Sequence, residues 1–141
     1  MKFSYEQETD LTAADIWQYY ANIDNWFAWE GDLEKVTLDG DFIQGTKGQM
    51  KLEGQPAMDF VLESVTANEE FTDRTPIPGM GDVYFTHQIG KKGAKTTITH
   101  SVEFVPQNRE ANSADLKFVA EIFADVPESI FALEKAARKN D

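Results

Sequence analysis

Alternation of apolar and polar residues dominates the chain between its two ends. In residues 3–9, Phe3 and Tyr5 alternate with polar neighbours, which predicts a strand with one solvent-exposed face. The same two-residue period recurs in six runs between residues 33 and 105, separated by spacers that contain glycine, proline or asparagine. Such short spacers favour antiparallel hairpins over crossover helices. The six further predicted strands are 33–39, 46–53, 57–66, 69–75, 82–90 and 95–105.

Helical spacing marks the region between the first two strands. Thr12 predicts a helix N-cap with Asp15 as its capping-box partner. Apolar residues spaced by three and four positions then predict an amphipathic helix over 13–21. A second short helical or turn-rich segment follows around Trp26 and Trp29. Two short helices are therefore expected between strands 1 and 2.

The last predicted element is a long helix over 113–138, whose apolar residues keep a three-four rhythm for about six turns. Pro127 lies inside it and predicts a kink, or a split with the proline in the first turn of the second piece. The apolar face of the sheet and the apolar stripe of the helix can both be buried if the helix packs on the sheet. The predicted fold is therefore α+β, with a curved antiparallel seven-stranded sheet wrapped around a long C-terminal helix in a helix-grip arrangement. Such a curved sheet leaves room for a ligand cavity beneath the helix.

Two motifs and the order of the elements resemble the START/Bet v 1-like (SRPBCC) superfamily. The segment 13–17 (AADIW) is similar to the start of the family's first helix, and the segment 24–29 (DNWFAW) is similar to its second-helix signature. The proline that usually follows this tryptophan is absent, and Glu30-Gly31 stands in its place. The resemblance covers nearly all of residues 1–139 and implies one START/Bet v 1-like domain over 1–141.

The resemblance is to small polyketide cyclase/dehydrase-like and AHSA1-like members, and it leaves three functions open. The first is binding of a small hydrophobic or amphipathic ligand in a cavity between the sheet and the C-terminal helix. The second is a cyclase or dehydratase-type enzyme that uses cavity histidines as acid and base. The third is an AHSA1-like protein-interaction module that docks through the acidic first half of the chain.

The charge and composition of the chain limit the kinds of molecule that it is expected to bind. The 141 residues carry 13 Lys plus Arg against 25 Asp plus Glu, a net charge of −12. Because nucleic-acid binding needs a basic face, we expect no nucleic-acid partner. The chain has no apolar run long enough to cross a bilayer and no apolar signal region at its start, so we expect no membrane insertion and a cytoplasmic location. The absence of cysteine fits a reducing compartment. We expect no cofactor, and a monomer or homodimer.

His87 and His100 are the most informative polar residues. Each replaces an apolar residue on the inward phase of its strand, 82–90 or 95–105, and the hairpin between these strands makes the two rings direct or diagonal neighbours. Inward imidazoles could hydrogen-bond a ligand, or act as acid and base near neutral pH. The alternative is that both are core histidines satisfied by hydroxyl groups or water. We expect no metal site, because no third ligand shares their phase.

The remaining candidates are aromatic residues and one loop. The aromatic cluster on the short helices is either core or, at Tyr19 or Tyr20, presents a hydroxyl group to the cavity. The apolar loop 76–81 is a gate with glycine hinges, an ordinary loop or a dimer contact. Asp59 and Glu63 share a phase that faces water, and no pair of carboxylates is placed for catalysis. The candidate catalytic residues are His87 and His100, and the predicted ligand contacts are Tyr20, Trp29, Met50, Phe60, Phe85, His87, His100, Val102, Phe123, Val126 and Ile130.

Overall fold

A computed structural model describes residues 1–139 and contains one seven-stranded antiparallel sheet in the order β1-β7-β6-β5-β4-β3-β2. Three α-helices and two 3₁₀ turns form the other regular elements of these described residues. The predicted α+β helix-grip fold is confirmed. The strands are β1 (Lys2–Thr9), β2 (Leu33–Leu38), β3 (Lys47–Leu52), β4 (Met58–Thr66), β5 (Glu70–Ile77), β6 (Gly81–Lys92) and β7 (Lys95–Pro106), and the helices are α1 (Ala13–Ala21), α2 (Leu116–Phe123) and α3 (Val126–Lys139), with 3₁₀ turns at Ile23–Ala28 and Ser113–Asp115.

The predicted capping box begins α1. Thr12 Oγ1 accepts a hydrogen bond from the Asp15 backbone N–H at 3.1 Å, and Asp15 Oδ2 accepts one from the Thr12 N–H at 3.0 Å. The second helical segment is a 3₁₀ turn rather than an α-helix, and the Asn22 side chain caps it by accepting from the Asp24 N–H at 3.0 Å. Both caps satisfy N–H groups that a helix start otherwise leaves unpaired.

The long C-terminal helix is split into two, which is one of the two outcomes that Pro127 predicted. The first piece, α2, ends at Phe123, and α3 begins at Val126 with the proline in its first turn. A proline is tolerated there because the first N–H groups of a helix have no partner within the helix. The break leaves residues 124 and 125 as a turn between two helices.

The apolar side chains form two clusters on the inner face of the sheet. The larger cluster joins α1, the first 3₁₀ turn and α3 to the sheet, and its fully buried members include Tyr20, Phe71 and Leu133. The smaller cluster joins α2 to the other end of the sheet around Phe104 and Val119. The sheet is therefore covered by two separate helical contacts.

The connection between β5 and β6 is a tight hairpin turn over residues 78–80. Ile77 pairs with Gly81 across the two strands, and the Met80 N–H donates to the Ile77 carbonyl at 3.0 Å. A Cβ on Gly81 would lie 2.2 Å from the Val105 carbonyl oxygen, so only glycine allows this close approach to β7. No helix within residues 1–139 is long and apolar enough to cross a bilayer.

Candidate functional site

A cavity of about 380 Å³ lies between the inner face of the sheet and the helices α2 and α3. Exposed residues surround its mouth on the loop before β2, on the loop between β3 and β4, and along the end of α2. Its walls carry two kinds of side chain. The apolar ones are Leu52, Met58, Ile77, Val83, Phe85, Phe118, Ile122 and Val126, and the polar ones are Glu30, Asp32, Gln55, Thr75, His87, His100, Ser101, Glu121, Asp125 and Ser129.

Four of the eleven predicted ligand contacts line this cavity, namely Phe85, His87, His100 and Val126. The other seven are placed away from its walls, mostly within the packed core. Strand parity assigned Met50, Phe60 and Val102 to the inner face, where they pack against the core instead of lining the cavity. The seven are Tyr20, Trp29, Met50, Phe60, Val102, Phe123 and Ile130.

His87 and His100 are direct cross-strand partners, which is one of the two arrangements that the sequence left open. Their ring centroids lie 4.8 Å apart in an edge-to-face arrangement. The pairing follows from the short hairpin that joins β6 and β7, in which Lys92 opposes Lys95. Because strand residues two apart share a face, this turn carries both imidazoles to the interior.

His100 is held by a chain of three hydrogen bonds. The Ser129 hydroxyl donates to the Val126 carbonyl at 2.6 Å, so it is an acceptor toward His100 Nδ1 at 3.1 Å. The ring therefore carries its proton on Nδ1, and His100 Nε2 accepts from the Tyr20 hydroxyl at 2.7 Å. Both ring nitrogens of His100 are thus satisfied within the protein. Tyr20 was predicted as a ligand contact, but its hydroxyl group donates its hydrogen to His100 instead.

His87 keeps one nitrogen for a ligand. Its ring stacks on Phe71 with centroids 4.0 Å apart and planes 6° apart. Its Nδ1–H donates to the Phe71 carbonyl at 3.2 Å. In the neutral ring this leaves Nε2 as an acceptor. His87 therefore offers a hydrogen-bond acceptor from a ring that lines the cavity.

Both histidines are neutral near pH 7. Burial lowers the pKa of His87 to about 3, against a smaller opposing effect of its bond to Phe71. Burial, followed by the neighbouring His87, lowers the pKa of His100 well below its ordinary value of 6.5. The predicted role as an acid–base pair near neutral pH is therefore not favoured, because neither ring gains a proton there.

The sequence reasoning missed two carboxyl groups, Glu30 in the lining of the cavity and Asp73 buried beside that lining. Burial raises the pKa of Glu30 to about 7, with further increases from Asp32 and Asp125. Burial also raises the pKa of Asp73 well above its ordinary value, and the charge of Glu30 adds to this increase. The two groups are thus close enough to interact electrostatically.

A signal for both residues was present in the sequence. Asp73 shares the inward strand phase of Phe71, where an acid is unusual. Glu30 stands where the resembled family usually has proline. By contrast Asp59 and Glu63 lie on the exposed outer face as predicted, where Glu63 pairs with Arg74 at 3.1 Å. Within residues 1–139 no three acidic or histidine side chains are grouped as metal ligands.

Solved structures share this architecture. The chain superimposes on Ara h 8.0201 with a TM-score of 0.73 at 10% identity, covering 99% of this chain and 98% of the other. A protein of Mesorhizobium loti gives a TM-score of 0.78 at 11% identity, covering 100% and 99% of the two chains. Norcoclaurine synthase from Thalictrum flavum, solved with dopamine and hydroxybenzaldehyde, gives 0.71 at 18% identity over 100% and 88%.

The chain therefore shares the helix-grip fold of these structures, which is the fold that the sequence motifs indicated. No protein-family model matches the chain. No curated protein matches it either.

Proposed function

We propose that this protein binds a small hydrophobic or amphipathic molecule in the cavity beneath α2 and α3. The observation that carries the proposal is the cavity itself, at about 380 Å³. Its walls combine apolar side chains with polar groups, which suits a molecule that has both an apolar body and a polar end. Burial of the ligand's apolar surface supplies the affinity, and the acceptor on His87 helps to fix its orientation.

The comparisons support a ligand cavity in this position. Norcoclaurine synthase has the same fold and was solved with two small molecules, dopamine and hydroxybenzaldehyde. The docking module, the third function left open by the sequence, does not need an internal cavity. The enzyme alternative is weakened by the neutral histidines, since their pKa values lie too low for proton transfer near pH 7.

A cavity-filling variant tests the proposal. Ile122 lies on α2 and lines the cavity, so Ile122→Trp places an indole in the ligand's space. The matched control is Ile43→Trp, because Ile43 is exposed on the loop between β2 and β3. The probe is N-phenyl-1-naphthylamine, an aromatic reporter that is neutral at pH 7 and whose fluorescence rises in apolar surroundings.

We expect saturable, one-to-one binding of the reporter to the wild type and to the Ile43 variant, and its loss in the Ile122 variant. Native mass spectrometry of protein purified from its own source should also show a bound small molecule. Equal reporter binding by all three proteins would place the ligand outside this cavity and refute the proposal.

A further inference from the structure

The residues that line the cavity include several with carboxyl side chains. Asp32, Glu121 and Asp125 are exposed at the mouth, and Glu30 is partly buried behind them. Among the described residues that line the cavity there is no lysine or arginine. An apolar ligand by itself gives no reason for this excess of carboxylates.

A further acid, Asp73, is buried beside the residues that line the cavity. Its side chain is 3% exposed, and it sits on β5 opposite Phe85, on the face that lines the cavity. Its neighbours on that face, Thr75 and Val83, also line the cavity. Asp73 Oδ1 is buried without a hydrogen-bond partner, and within residues 1–139 it is the sole buried side-chain oxygen or nitrogen in that state. Such an orphaned acceptor is costly unless a ligand supplies a donor.

The polar groups of the interior include acceptors but no cation. His87 offers Nε2, because its Nδ1–H is used by the Phe71 carbonyl. His100 and Ser129 are occupied with each other and with the protein. The hydroxyl group of Thr75 also lines the cavity and can donate or accept. The histidines cannot neutralise the carboxylates, since burial keeps both rings uncharged. Among the described residues, the interior therefore carries no positive charge.

An organic cation fits this interior better than a metal ion. The described acidic and histidine side chains do not gather into a metal-binding group. A protonated amine carries two or three N–H donors and one positive charge, which match a pair of carboxylates and an imidazole acceptor. An apolar body attached to the amine would contact Phe85, Ile122 and Val126 on the opposite walls.

We propose that the ligand class is a cationic amphipath, a primary or secondary amine whose ammonium group pairs with Glu30 and Asp73 while its apolar body fills the rest of the cavity. This inference rests on the proposed binding function and specifies its ligand. The negative mouth, at Asp32, Glu121 and Asp125, attracts the same charge and speeds its entry.

Three matched probes test the charge preference by isothermal titration calorimetry at pH 8. They are 2-phenylethylamine, the neutral 2-phenylethanol and the anionic 3-phenylpropanoate, which share a phenyl ring and a short linker. The amine keeps its proton at this pH because alkyl ammonium groups titrate near pH 10. We expect the amine to bind about tenfold or more tightly than the alcohol, and the anion to bind least.

Two isosteric variants locate the charge. Asp73→Asn and Glu30→Gln should each reduce the affinity for the amine about tenfold and leave the affinity for the alcohol unchanged. Asp59→Asn and Glu69→Gln are the matched controls, because both acids are exposed and lie outside the cavity. These controls should keep the wild-type preference for the amine. Since Glu30 is only partly buried, its variant tests the inference even if the Asp73 variant does not fold.

Amine binding should also strengthen between pH 5.5 and pH 8. Glu30 must release its proton to pair with an ammonium group, and burial, together with Asp32 and Asp125, raises the pKa at which it does so. The two histidines that face the same interior stay neutral over this range. Calorimetry in buffers of different ionisation enthalpy should therefore show protons released as the amine binds, and no protons released as the alcohol binds.

The outcomes separate the two proposals. If the wild type binds the alcohol as tightly as the amine, or if both cavity variants keep the amine preference, the cationic ligand class is refuted and the binding function stands. If the three probes and N-phenyl-1-naphthylamine all fail to bind the wild type, the binding function is refuted, and the ligand class with it.

Discussion

The raised pKa of Glu30 makes a quantitative prediction about folding stability. Burial, with Asp32 and Asp125, moves this pKa from 4.5 to about 7. The folded protein therefore keeps the Glu30 proton up to about pH 7, whereas the unfolded chain releases it near pH 4.5. Between these values unfolding releases a proton, so the stability contributed by this group falls as the pH rises.

The size of the effect follows from the shift. Each pH unit between the two pKa values is worth about 1.4 kcal/mol, so the full range amounts to about 3 kcal/mol. Because Glu30 is partly exposed, this figure is an upper bound. Glu30→Gln removes the titrating proton but keeps the shape. Relative to the wild type, the variant should gain up to about 3 kcal/mol between pH 4 and pH 8.

The assay is urea unfolding followed by tryptophan fluorescence at half-unit steps of pH. The quantity of interest is the variant's free energy of unfolding minus that of the wild type, because the other acids cancel in this difference. Loss of the Glu30 charge also relieves Asp73, which changes the difference in the same direction. Glu69→Gln, an exposed turn residue, is the control and should give a nearly constant difference. A Glu30→Gln difference that stays constant from pH 4 to pH 8 would refute the reasoning.

Three further predictions concern stability. Thr12→Ala removes the cap of α1 and should cost about 1 kcal/mol in urea unfolding, with unchanged ligand binding. Tyr20→Phe leaves His100 Nε2 without its donor and should cost about 1–3 kcal/mol; a cost that persists when His100 is also replaced would contradict this origin. Leu133→Ala opens a hole in the larger cluster and should cost about 2–5 kcal/mol, whereas Leu116→Ala, at an exposed residue, should cost much less.

Strand parity accounts for most of what the sequence predicted correctly. The alternation within 95–105 and 82–90 placed both histidines inward, and the short turn between these strands aligned them, as the pairing of His87 with His100 confirms. The Thr12 capping box and the position of Pro127 in the first turn of α3 follow from equally local rules. Each of these features depends on residues that are close in sequence, or on one hairpin.

The walls of the cavity could not be predicted in the same way. Strand parity predicts which face of the sheet a side chain occupies. It does not predict the distance between that side chain and the elements that cover the sheet. Phe60 and Phe85 both point inward, yet the first is packed in the larger cluster and the second lines the cavity. The difference arises because Trp26 of the first 3₁₀ turn covers Phe60, with ring centroids 5.9 Å apart.

The sequence alone determined the architecture, since periodicity, caps and turn residues act over a few positions and leave little choice of element or order. It also determined that two imidazoles lie side by side in the interior. Only the tertiary structure decided their chemistry, because a pKa depends on burial and on charges that arrive from distant parts of the chain. Glu30 lies before β2 and Asp73 on β5, and folding alone brings their carboxyl groups close enough to influence each other beside one acidic cavity.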